Sequence, residues 1–83
     1  MMSVLTVLIV EDDSAYATAL RDQLFADSRF GEVWIAGTLA EAQNALQQNS
    51  PQLVVLDVDL PDGSGLDLLP RLEGDIHTLV LTV

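Results

Sequence analysis

No cysteine and no lysine occur in the 83 residues. The first absence excludes disulfides, thiolate catalysis and zinc–thiolate sites. The second leaves three arginines against 13 acidic residues, a net charge of −10. Binding to DNA, RNA or an anionic membrane runs on Lys and Arg contacts to phosphate, so direct nucleic-acid binding by this chain is not expected. Divalent cations and basic partners suit such a surface. Histidine is nearly missing as well: His77 stands alone, which excludes a multi-histidine metal site within one chain. No run approaches the ~20 apolar residues of a membrane span. The apolar start from Met1 to Val10 lacks a basic leader and a small-residue cleavage site, and it runs into Glu11-Asp12-Asp13. It reads as a first strand, with the cytoplasm as the expected location and no membrane involved.

What is present is apolar residue in runs. The hydrophobic fraction is 49%, high for so short a chain. The length allows one small domain, burying only about 60% of the unfolded chain's surface. Contiguous rather than alternating apolar runs point to a parallel sheet covered on both faces. Val4 to Val10, Val33 to Ala36, Leu53 to Asp57 and Thr78 to Val83 are the four strands expected. Between them fall three helical segments. Ser14 is placed to cap a helix over 15–26, with Ala15, Ala17, Ala19, Leu20 and Leu24 as its apolar face. Thr38 and Glu41 are spaced as a capping box for a second helix, with Leu39, Ala42, Ala45 and Leu46 turned inward. A third begins near Gly65, capped by Ser64 or Asp62, with Leu66, Leu69 and Leu72 inward. Pro70 makes it short, bent or irregular. The order β-α-β-α-β-α-β with right-handed crossovers gives a parallel sheet flanked by helices.

The candidate chemistry lies where strands end. In an open α/β sheet, ligands bind at the carboxyl ends of the strands. Glu11 and Asp12 follow the first strand, Asp57 ends the third, and Thr82 lies at the end of the fourth. With the first and third strands adjacent, their carboxylates come within metal-bridging distance. Such an oxygen-only cluster suits Mg²⁺ or Mn²⁺ and is poor for zinc. Asp57 is then placed to attack phosphorus as a carboxylate nucleophile, with the Thr82 hydroxyl hydrogen-bonding a phosphoryl oxygen. Each signal has a plainer reading: acidic residues after strands cap helices, and Asp62 and Asp67 read as turn and helix-start residues. The conjunction, in chain order, carries the weight.

With those residues in place, the chain resembles the receiver (response-regulator) domain of bacterial two-component signalling. The acidic pair is Glu11 and Asp12 after Leu8-Ile9-Val10, and the phospho-acceptor is Asp57 in Val54-Val55-Leu56-Asp57. Pro61 and Gly63 follow in the loop, and Thr82 matches the switch Thr/Ser. The resemblance implies a flavodoxin-like fold with strand order 2-1-3-4. It implies Mg²⁺ held by Glu11, Asp12, Asp57 and the backbone carbonyl of Asp59. It also implies a sensor kinase or phosphotransfer protein as phosphohistidine donor, and an output domain regulated by the result. The chain would be a phosphoryl acceptor, not an enzyme acting on a separate substrate. Residues 1–83 would form a partial receiver, lacking the last strand, its lysine and the last two helices. An uncovered fourth strand, 78–83, without charge or proline invites homo-oligomerisation. An association module that has lost phosphorylation is one alternative. An aspartate-nucleophile phosphohydrolase is another; Asp59 fits it superficially, but the early acidic triplet and the lack of a cap domain oppose it.

Overall fold

The computed structural model describes residues 4–72, 74 and 76–81. Four strands form one parallel sheet: β1 Leu5–Val10, β2 Phe30–Ala36, β3 Leu53–Asp57 and β6 His77–Leu81, in the order β2-β1-β3-β6. The expected order of the four long strands, 2-1-3-4, is borne out. Two short strands, β4 Asp59–Leu60 and β5 Gly63–Ser64, pair as a small antiparallel hairpin directly after β3. Helix α1 spans Ser14–Phe25, α2 spans Leu39–Gln48, and a 3-10 helix spans Gly65–Arg71.

β1 sits centrally because it is the most apolar strand, with Val7, Leu8, Ile9 and Val10 wholly buried. Successive side chains point to opposite faces. Leu8 and Val10 join Val54 and Leu56 under α2 and the 3-10 helix. Val7 and Ile9 join Val55 under α1, where Ala17, Leu20 and Leu24 pack. Strands buried on both faces must be apolar on both, which is why the runs are continuous.

Several local expectations need correction. Asp13, not Ser14, caps α1: its carboxylate accepts the Tyr16 N–H at 3.1 Å. Ala15 and Ala19 are exposed, so α1 buries a narrower stripe than its composition suggests. β2 begins at Phe30, because the Asp27 carboxylate takes the Arg29 N–H and turns the chain early. Its register against β1 shifts by one residue at Gly31, opposite Leu5 and Thr6. A Cβ at Gly31 would meet the Val4 side chain at 2.4 Å, so the bulge needs a bare backbone.

The third helix departs most. Leu66 and Leu69 are exposed, and Leu68 is the buried anchor. Pro70 lies inside this segment and supplies no N–H, and the turns tighten to a three-residue repeat. That repeat brings Gly65 and Leu68 to the same side, where an α-helical reading had placed Leu66 and Leu69. Leu72, just beyond, packs on the core as expected.

Candidate acidic metal and acceptor site

Parallel pairing sets the register of the two strand ends that carry the carboxylates. Val10 of β1 lies opposite Leu56 of β3, so the next residues, Glu11 and Asp57, emerge side by side at the carboxyl edge. Carboxylate oxygens of Glu11, Asp12 and Asp57 all lie within 4.8 Å of one another. Two backbone contacts orient them. Glu11 Oε1 accepts the Asp13 N–H at 3.0 Å, and Asp57 Oδ1 accepts the Asp59 N–H at 3.2 Å. Each is a side chain bonding the backbone two residues on, a turn-forming contact that fixes the carboxylate over its own loop. Glu11 is buried, Asp57 half-buried and Asp12 exposed, so the cluster opens to solvent on one side.

The electrostatics are unfavourable for the bare protein. Burial, first, pushes the Glu11 carboxyl above its ordinary value, and the neighbouring Asp57 adds to the shift; the Asp13 backbone N–H opposes it. Among the described residues the ion pairs are Arg21–Asp22 and Arg29–Asp27, and neither includes a member of this cluster. With no lysine in the chain, three carboxylates crowd together and no cation among the described residues pairs with them. The donor set is all oxygen and half open, which fits a hard divalent cation that keeps part of its water shell. A cavity of about 330 Å³ lined by Leu46, Pro51, Arg71 and Ile76 lies beside the opposite edge, at the entries to β3 and β6. Among the described residues, none of its lining groups is a carboxylate.

The sequence-expected residues divide three ways. Glu11, Asp12 and Asp57 are brought together. Asp59 opens β4, exposed, at the start of the hairpin beside them. Thr82 lies outside the described residues; Leu81, before it, pairs with Asp57.

Two residues at this edge were missed or misassigned. Gly65 approaches the Asp57 backbone so closely that a Cβ there would meet the Asp57 carbonyl oxygen at 1.9 Å. Its N–H donates to the Val58 carbonyl at 2.8 Å. Asp62 caps a helix, but not the one that follows it. Its two oxygens accept the Leu39 and Ala40 N–H groups of α2, at 2.7 and 3.0 Å. Ser64 caps the 3-10 helix by accepting the Leu66 N–H.

Three carboxylates gathered at the carboxyl ends of the adjacent parallel strands β1 and β3 place the acidic site where doubly wound α/β sheets bind their ligands. The chain belongs to the response regulator receiver domain family, whose model matches residues 7–83. Relatives include the transcriptional regulatory protein CitB of Klebsiella pneumoniae, 41% identical over 68 residues. The activator DevR/DosR of Mycobacterium tuberculosis is 40% identical over 80 residues. The matches take in 82% and 92% of this chain but 29% and 36% of those proteins, so the chain spans about a third of the relatives' length. Among solved structures, the MaeR response regulator bound to beryllium trifluoride superposes with a TM-score of 0.86 at 32% identity, covering 96% of this chain and 68% of that one. The non-phosphorylated HemR receiver domain of Leptospira biflexa gives 0.81 at 40% identity, covering 94% and 64%.

Proposed function

We propose that Asp57 accepts a phosphoryl group from a phosphohistidine on a sensor kinase or phosphotransfer protein, and that acceptance regulates an output domain. The observation that carries this is the Glu11, Asp12 and Asp57 trio within 4.8 Å at the sheet's carboxyl edge. A carboxylate oxygen of Asp57 bonds to phosphorus as the phosphorus–nitrogen bond of the donor breaks, and the electron pair leaves with the imidazole. Glu11 and Asp12, with Asp57 itself and the Asp59 carbonyl, would hold Mg²⁺. That ion supplies the positive charge that a phosphoryl group needs beside three carboxylates. The Asp57–Asp59 turn presents the acceptor, and burial of Glu11 fixes one wall of the site. Thr82 completes the reading as a hydroxyl donor to a phosphoryl oxygen. The chain acts as acceptor, with at most self-catalysed phosphorylation and dephosphorylation, rather than turning over a separate substrate.

Beryllofluoride, a phosphoryl analogue, provides the test. With Mg²⁺ present it should shift backbone amide resonances around Asp57 and Glu11, and Asp57→Asn should abolish the shifts. Identical spectra with and without the analogue would remove the acceptor reading.

A further inference from the structure

We propose that Asp62 is a positioning residue, a latch that ties the loop after the acceptor to the start of α2 and thereby holds the acidic trio ready for its cation. The inference rests on the metal-dependent reading above and assigns a role to a residue outside the acidic trio and its loop carbonyl. A helix leaves its first N–H groups without partners inside the helix. In α2 those groups are satisfied from two different places. The Thr38 hydroxyl accepts the Glu41 N–H at 3.1 Å, a local cap. The Leu39 and Ala40 N–H groups are taken instead by the two oxygens of Asp62, 22 and 23 residues further along the chain. The helix N-terminus also favours the negative charge. Next to the latch, Gly63 lies so close to Leu39 that a Cβ would stand 3.1 Å from the Leu39 Cδ2 atom. The tip of the β4–β5 hairpin is therefore seated on the first residue of α2.

That contact closes a ring. The Glu11 N–H donates to the Ala36 carbonyl at 3.0 Å, joining the end of β1 to the end of β2. Gly37 and Thr38 lead from Ala36 into α2, and the Glu41 carboxylate accepts the Gly37 N–H at 2.9 Å to stiffen that step. From α2, Asp62 returns to the hairpin whose first residue is Asp59, two residues after Asp57. Asp57 and Glu11 then face each other in the acidic cluster. Removing Asp62 opens the ring at its only side-chain contact between the hairpin and α2 among the described hydrogen bonds. The loop bearing the Asp59 carbonyl then keeps the Asp57–Asp59 turn, the Gly65–Val58 bond, the β4–β5 pairing and the buried Leu60, but loses its hydrogen bonds to α2.

The test compares two cap deletions in the purified protein. Asp62→Ala removes the long-range latch, and Thr38→Ala removes the local cap of the same helix without touching the hairpin. Two readouts are taken: Mg²⁺ affinity by titration, and amide hydrogen exchange in the absence of metal. Asp62→Ala should weaken Mg²⁺ binding about fivefold, less than the ~10–100-fold that follows loss of a group bonded to a ligand itself. It should also speed exchange at Leu39, Ala40 and the hairpin together. Thr38→Ala should speed exchange in α2 and leave Mg²⁺ affinity within about twofold. Asp62→Asn, which keeps one acceptor oxygen, should fall between wild type and alanine. Equal effects of the two alanine variants on Mg²⁺ affinity, or unchanged hairpin exchange in Asp62→Ala, would overturn the proposal. Wild-type protein that binds no Mg²⁺ would remove the metal reading itself, and hairpin exchange alone would then decide whether the latch exists.

Discussion

Gly65→Ala should lower the thermal midpoint by about 10 °C or more and slow phosphorylation of Asp57 sharply. A methyl group at this position would sit 1.9 Å from the Asp57 carbonyl oxygen, 2.9 Å from Leu56 Cδ1 and 3.0 Å from the Asp57 carbonyl carbon. Two of those neighbours are backbone of β3, which pairs with β1 on one side and β6 on the other. The nearest atom therefore cannot swing away as a flexible side chain would. Either the 3-10 helix lifts from the sheet, exposing Leu68, or the end of β3 moves. Overpacking of this kind costs about 1–3 kcal/mol. A domain of this length has roughly 4–12 kcal/mol in all, and each kcal/mol moves the midpoint by about 4–8 °C. A displacement of about 1 Å at a reacting group can cost on the order of 100-fold in rate. Thermal unfolding and a phosphorylation time course check the two halves. An unchanged midpoint with an unchanged rate would contradict the close approach.

The second large effect concerns Glu11. Its carboxyl is held above the ordinary value of 4.5, by burial first and by Asp57 next. A carboxyl raised on folding favours the folded state while it is protonated. The contribution is complete below about pH 4.5 and is lost as the pH climbs through the raised value. In chelator, stability should therefore fall as the pH rises toward neutrality. Asp27 and Asp62 act in the opposite sense. Hydrogen bonds from Arg29 bring Asp27 to about 2, and the Leu39 and Ala40 N–H groups lower Asp62. Their contributions are present above 3.8 and fade as the pH falls below it. Between about pH 4.5 and neutrality in chelator, Glu11 therefore lowers the midpoint while Asp27 and Asp62 keep their full contributions. Glu11→Gln keeps an oxygen for the Asp13 N–H but removes the charge. It should raise the metal-free midpoint at pH 7, flatten the pH profile, and weaken Mg²⁺ binding by more than about tenfold. Calorimetry with and without Mg²⁺ separates these. A variant less stable than wild type in chelator at pH 7 would contradict the electrostatic account.

The sheet and its acidic edge were legible because they rest on long-range burial. A strand covered on both faces has no freedom to be polar, so Val7 to Val10 and Val54 to Leu56 announce themselves. One step of register past Val10 and Leu56 then brings Glu11 and Asp57 together. What stayed hidden depends on geometry that residue spacing does not encode. Leu66 and Leu69 read as inward on a 3.6-residue repeat, but Pro70 favours a three-residue repeat that buries Leu68. Pro70 signals an irregular helix, but it does not by itself specify which face a three-residue repeat buries. Asp13 and Ser14 both suit a cap, and only the fold shows which accepts the Tyr16 N–H. Asp62 reads as a local turn residue because its partners at Leu39 and Ala40 are distant in sequence. No local pattern marks a cap that comes from another loop. Gly65 looked like a helix start, and its proximity to Asp57 is a product of tertiary packing.

The role of Asp57 is tested most directly by intact mass after incubation with Mg²⁺ and acetyl phosphate, a small phosphoryl donor. Wild-type protein should gain the mass of one phosphoryl group, the gain should vanish in chelator, and Asp57→Asn should gain nothing. Wild type that stays at its unmodified mass, or an Asp57→Asn variant that gains the group equally, would contradict the assignment of Asp57 as acceptor.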